Sequence, residues 1–224
     1  MTRPQPWCFR TGNGDLSLAV PDVRLSSREA QALANLIPVL GCGEEAASFA
    51  FQRIAQECAA DIPGSAALAM IAQEELAHEA ILRALSAALP TAIGFPERKR
   101  AARNFHLRLG RGSVAERLAC IAATDAAICL ILGRLVRPGT GLAEDVQTAA
   151  LLRRIRDDEA RHVRISRKLA IARGDIGLTA VAANARKALA AVLTLAADDF
   201  EALEFDPQWL DAHVAPLPPR LFEQ

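Results

Sequence analysis

The chain has 224 residues, half of them apolar and few aromatic, with no tyrosine and with Lys plus Arg equal to Asp plus Glu at 26 each. That length supports a sizeable core in one domain, and the even charge balance excludes the strong bias of a nucleic-acid binder or a polyelectrolyte tail, so nucleic acid is not an expected partner. The Ala- and Leu-rich vocabulary after residue 26 is that of helices, and an all-α fold is expected.

Residues 1–25 read as an extended N-terminal arm, punctuated by Pro4, Pro6, Gly12, Gly14 and Pro21. The arm lacks the apolar stretch of a secretory signal, so a cytoplasmic location is expected. A first helix opens at a capping box, Ser26 with Glu29. Pro38 and Gly41-Cys42-Gly43 predict a kink or break, after which helical patterning resumes from Glu44 to Ala60. A turn at Asp61-Ile62-Pro63-Gly64 leads to a second helix over Ser65 to Leu89. The stretch from Pro90 to Gly112 reads as a crossover connection with room for a short helix. Ser113 and Glu116 form another capping box and open a third helix to about Val136. A fourth spans Leu142 to Arg173, a fifth Leu178 to Leu203, and a tail over 206–224 closes the chain after a helical domain at 26–205. The most apolar window, Leu118 to Leu132, is shorter than a bilayer span and carries Asp125, so no membrane helix is expected. Five cysteines, never spaced C-x-x-C, argue against a disulfide framework, a zinc site or a rubredoxin-type centre, and are expected as buried free thiols.

Two of the four histidines follow a glutamate by three residues: Glu75-Leu76-Ala77-His78 and Glu159-Ala160-Arg161-His162. Each pair shares a helix face. The stripes Leu68, Ile71, Glu75, His78, Leu82, Leu85 and Leu152, Ile155, Glu159, His162, Ser166, Leu169 turn both pairs toward the core, where a carboxylate and an imidazole are costly unless paired or bound to metal. A two-metal site in a bundle needs a further carboxylate from each remaining helix. In the first helix the apolar stripe passes through Glu44, with Glu45 turned about 100° away; the glycine-flanked break could shift the phase, so Glu45 stays open. In the third, Asp125 lies centrally in the stripe Leu118, Ile121, Ala122, Ile128, Cys129, Leu132. The expected metal ligands are therefore Glu44, Glu75, His78, Asp125, Glu159 and His162.

The order Glu, Glu-x-x-His, carboxylate, Glu-x-x-His across about residues 27–173 resembles the ferritin-like carboxylate di-iron superfamily. Asp157-Asp158-Glu159-Ala160-Arg161-His162 is similar to the Asp-Glu-x-Arg-His motif of its oxygen-activating branch, which includes soluble acyl carrier protein desaturases, bacterial multicomponent monooxygenases and arylamine oxygenases. The chain departs from that branch in Ala77 where an Arg is usual, in Asp125 where a Glu is more common, and in its short length. The resemblance implies a ferritin-like four-helix bundle with additional helices and two iron ions, with manganese able to replace one. It assigns Asp158 and Arg161, and Glu74 at the corresponding place of the first motif, to hydrogen bonds that orient the ligand histidines. The absence of tyrosine removes the radical-bearing residue of a ribonucleotide reductase small subunit.

The expected function is that of an oxygenase or oxidase that activates dioxygen, draws on an external electron donor, and oxidises a small or carrier-linked organic substrate. Phe51, Ile54, Ile121 and Ile128 are its expected pocket lining. A ferroxidase or a rubrerythrin-like peroxidase needs the same ligands without that pocket, and a binding protein with remnant ligands is the third reading. A homodimer is allowed. The basic residues of the fourth helix read as a solvated face; with Arg98, Lys99, Arg100, Arg103 and Arg108 they could instead dock an acidic carrier or an RNA. His106 and His213 are set aside as surface or loop residues, and Trp7 and Trp209 are expected to pack the terminal arms against the helices.

Overall fold

A computed structural model of the chain describes residues 7–9, 18–174 and 176–222. Pro4, Pro6, Gly12 and Gly14 of the arm lie outside them. Among the described residues there are helices and no strand. In chain order they are α1 (Ser27–Glu57), α2 (Ile62–Ala87), α3 (Phe95–Leu109), α4 (Val114–Leu135), α5 (Gly141–Glu144), α6 (Val146–Ala172), α7 (Leu178–Thr194), α8 (Ala197–Ala202) and a π-helical turn (Leu210–Val214).

Local chemistry explains most of the boundaries. Ser26 and Ser113 close reciprocal capping boxes with Glu29 and Glu116 at the starts of α1 and α4. Asp61 caps α2, with a proline in its first turn. The helix expected from Leu142 is instead split: Thr140 caps the short α5, and Asp145 then caps α6 through the Thr148 N–H. The fifth expected helix likewise ends at Thr194, with α8 following as a separate turn. The crossover carries the fifteen-residue α3.

The break expected at residues 38–43 does not occur, and α1 runs through Pro38. Gly41 serves close packing instead, and Gly43 leaves room beside His106. A side chain at Gly41 would collide with the Trp7 indole, and a Cβ on Gly43 would lie 3.8 Å from the His106 ring. In a helix held on several sides, neither glycine acts as a breaker, and Gly41 is a point of close approach.

The α1 helix packs chiefly on α2, and α4 on α6; α2 meets α6, α7 lies on α4, and α3 crosses α1 and α7. Two apolar clusters fill the interior. One gathers Leu33, Ile37, Leu82, Leu85, Ile131 and Leu152, the other Phe51, Ile54, Leu68, Ile71, Leu118 and Ile121. Each of α1, α2 and α4 passes from one cluster to the other, and between the two it carries the ionisable residues that the sequence singled out. On α6, Leu152 and Ile155 precede Glu159 and His162, and Ala170 follows.

The α4 helix extends beyond the window Leu118–Leu132 and is by length and composition apolar enough to cross a membrane; 61% of its most apolar stretch is buried inside the fold. A core helix buried on several sides needs the same composition.

The expected free thiols are corrected at two positions: Cys8 and Cys42 form a disulfide, with Cα atoms 5.1 Å apart. Cys58, Cys120 and Cys129 are free, Cys58 buried as expected but Cys120 and Cys129 only half-buried. The bridge is one of several ties on the same segment, because the N–H groups of Trp7, Cys8 and Phe9 all donate to the buried Glu45 carboxylate at 2.6–2.7 Å. Arg83 pairs with Glu45 and lies over the Trp7 ring. At the other end of the chain, Trp209 packs edge-on to Phe205 and stacks on His213.

Candidate metal centre

The four helices α1, α2, α4 and α6 each bring acidic or imidazole groups to the gap between the apolar clusters. Glu44, Glu75, His78 and Glu159 present ligand atoms within 4.8 Å of one another, all buried, in a group that could hold a metal ion. His162 joins them, its Nδ1 lying 3.0 Å from Glu75 and 3.6 Å from Glu159. Asp125 stands outside the 4.8 Å group but lines the same cavity as Glu44, Glu75 and Glu159.

The two glutamates of the Glu-x-x-His motifs divide their oxygens between the two histidines. Glu75 places Oε2 3.5 Å from His78 Nδ1 and Oε1 3.0 Å from His162 Nδ1. Glu159 places Oε1 3.2 Å from His78 Nδ1 and Oε2 3.6 Å from His162 Nδ1. Glu44 lies on the His78 side at 3.4 Å. Of the two glutamates left open in the first helix, Glu44 faces the histidines and Glu45 the N-terminal segment.

Behind the centre, the outer nitrogens of both rings are held crosswise. His78 Nε2 on α2 meets Asp158 on α6 at 3.2 Å, and His162 Nε2 on α6 meets Glu74 on α2 at 2.9 Å. Arg161 donates to both carboxylates, at 2.6 Å to Glu74 and 2.5 Å to Asp158. An imidazole that donates through Nε2 to a carboxylate turns the Nδ1 lone pair inward, the orientation a metal ligand requires. The Glu74, Asp158 and Arg161 side chains thus occupy the positions expected of groups that orient the histidines.

The electrostatics show what the cluster costs. Burial, followed by the charge of Glu75, pushes the Glu44 carboxyl up to about 8. Burial also raises Asp125 well above the usual carboxylate range, with Glu159 and Glu75 adding to it. For His162, burial acts downward but is outweighed by the adjacent Glu159 and Glu75 carboxylates, which push it up to about 11. His78 is raised in the same way, burial again opposing and Glu159 and Glu44 prevailing. Five polar atoms here, Glu75 Oε1, His78 Nδ1, Asp125 Oδ2, Glu159 Oε1 and His162 Nδ1, are buried without a hydrogen bond. Carboxylate oxygens and imidazole nitrogens left without hydrogen bonds around one point are what a cation, displacing the imidazole protons, would satisfy.

A cavity of about 420 Å³ opens onto the carboxylates from the side of α1, α3, α4 and α7. Ile54, Ile121 and Ile128 line it as expected, whereas Phe51 packs edge-on against His162, with ring centroids 6.2 Å apart. His106, set aside from the sequence as a surface or loop residue, is on α3 and lines this cavity. No local motif marks it; only the crossing of α3 over α1 brings it there.

Comparison of the chain with protein-family models, with curated proteins and with solved structures finds no match in any of the three.

Proposed function

We propose that the chain is a di-iron oxidoreductase on a ferritin-like four-helix bundle formed by α1, α2, α4 and α6, and that it uses dioxygen to oxidise an organic substrate, small or carrier-linked. The carrying observation is the division of the Glu75 and Glu159 oxygens between the two histidine Nδ1 atoms. Glu75 and Glu159 would hold two ions together with His78 and His162. Charge is compatible with this, because Glu44, Glu75, Asp125 and Glu159, once they give up their protons, carry four negative charges that two divalent cations would cancel in a buried site. Glu44 would complete the His78 side and Asp125 the His162 side. Hard carboxylate oxygens with imidazole suit iron, and manganese at one position.

A bound iron pair would supply electrons and Lewis acidity to dioxygen. The chain's own residues have other tasks: Asp158, Glu74 and Arg161 hold the imidazoles in place, and the apolar cavity walls keep water from the reacting region. Insertion of one oxygen atom into a C–H bond consumes two further electrons and two protons and releases water, so an external electron donor is part of the reading. The ferroxidase and peroxidase alternatives need the same ligands but give no reason for an apolar cavity ending on them, and the cavity favours the oxygenase. The cytoplasmic location expected from the sequence sits uneasily with the Cys8–Cys42 bridge, since such bonds are rare in reducing compartments.

Ile121→Trp tests the assignment, because Ile121 lines the cavity and is no ligand. Ferrous iron binding is expected to stay within about threefold of the parent protein, while oxygen consumption coupled to oxidation of added arenes or alcohols drops at least about tenfold. Rapid ferrous oxidation by oxygen that no organic compound alters, in both proteins, would favour the ferroxidase.

A further inference from the structure

The cavity has a definite chemical character apart from its carboxylate floor. Its walls are mainly aliphatic and aromatic, with the exposed Phe49 and Leu107 and the side chain of Arg53 at its outer edge. Four polar side chains stand outside the floor: Arg53, His106, Arg117 and Thr124. Three are already engaged. Arg53 and Arg117 both bind Glu57, and the Thr124 hydroxyl donates to the Cys120 carbonyl at 2.9 Å.

His106 differs. Its ring packs edge-on to Phe105 and makes no hydrogen bond among the described residues. It faces α1 above Gly43, where a Cβ would stand 3.8 Å from both Cε1 and Nε2, so the glycine keeps the space before Nε2 open one residue from Glu44. Burial pushes this imidazole down to about 4, so at neutral pH it is uncharged and offers one donor and one acceptor. An uncharged ring gives no compensation to a buried ion, and ions are costly to bury unpaired. It can pair with a hydroxyl.

Resting on the reading of this cavity as the place of the organic substrate, we propose that it binds a molecule with an apolar body and one uncharged hydroxyl, an alcohol or a phenol, and that His106 selects for the hydroxyl by hydrogen-bonding to it. The size agrees. A cavity of about 150 Å³ is enough for benzene, so one of about 420 Å³ takes a substituted ring or a comparable aliphatic alcohol.

Isothermal titration of the full chain, metal-free and ferrous-loaded under anaerobic conditions, with 4-ethylphenol, ethylbenzene and 4-ethylbenzoate tests this. In His106→Leu the affinity ratio of 4-ethylphenol to ethylbenzene should fall roughly tenfold, the loss expected when a buried hydroxyl has no partner. Affinity for ethylbenzene should change less than about threefold, and His106→Gln should restore most of the ratio. Helix content and ferrous stoichiometry, measured on each variant, show that the fold is retained. An unchanged ratio in His106→Leu overturns the proposal, as does tightest binding by 4-ethylbenzoate, or no binding of any of the three to a chain that still takes up iron. If iron fails to bind while the His106-dependent preference for 4-ethylphenol holds, the di-iron reading falls and the hydroxyl site stands.

Discussion

At the scale of single residues, the Glu-x-x-His pairs were visible because their chemistry is local. A carboxylate and an imidazole three apart share a helix face, and the apolar stripes around them point that face inward. Asp158, Arg161 and Glu74 were legible only through a resemblance, and their crosswise pairing, each carboxylate serving the histidine of the other helix, depends on how α2 and α6 meet. Glu45 and His106 were not legible, since the groups they face are distant in sequence. The protonation of the centre gives a prediction of its own. His162 is raised to about 11, Glu44 to about 8, and His78 is raised as well. In the metal-free protein these groups hold protons at neutral pH that a cation must displace, so affinity for ferrous iron should rise with pH between about 6 and 8, and binding should release protons. Calorimetry in buffers of different ionisation enthalpy measures that release. Affinity independent of pH, with no protons released, would mean that iron does not enter among these residues.

Among the elements, helix starts were readable from their caps, and the long crossover was readable from composition. The continuity of α1 was not, because Pro38 and the glycines disfavour a helix in isolation and tertiary contacts override that preference here. Nor could spacing show that Cys8 would meet Cys42, since the approach depends on Glu45 gathering three backbone N–H groups of the N-terminal segment. The bridge is expected to stabilise the protein. It closes a loop with a sequence separation of 34, and Cys42→Ser should lower the unfolding free energy by about 2–4 kcal/mol, read from denaturant melts without reductant. The parent protein in excess reductant should show a similar loss. Identical stability in all three samples would show that the bond contributes nothing.

Across the whole molecule, two apolar clusters enclose a polar layer to which α1, α2, α4 and α6 all contribute. Burying four carboxylates and two imidazoles in one layer opposes folding unless the charge is balanced. In the metal-free protein, retained protons reduce that charge. Two divalent ions would replace them and satisfy the polar atoms left without hydrogen bonds, so occupancy should stabilise the fold as well as equip it for chemistry. A cavity reaches the layer from one side, while the Glu74, Asp158 and Arg161 network closes it from the other, which separates the cavity from the groups that orient the histidines.

Anaerobic titration with ferrous iron, followed by elemental analysis of the desalted protein, decides whether His78 and His162 hold a pair of ions. About two irons per chain are expected for the parent protein, and about one for each of His78→Ala and His162→Ala, with helix content retained. A parent protein that holds one iron or none, or two single variants that each still hold two, would contradict the account.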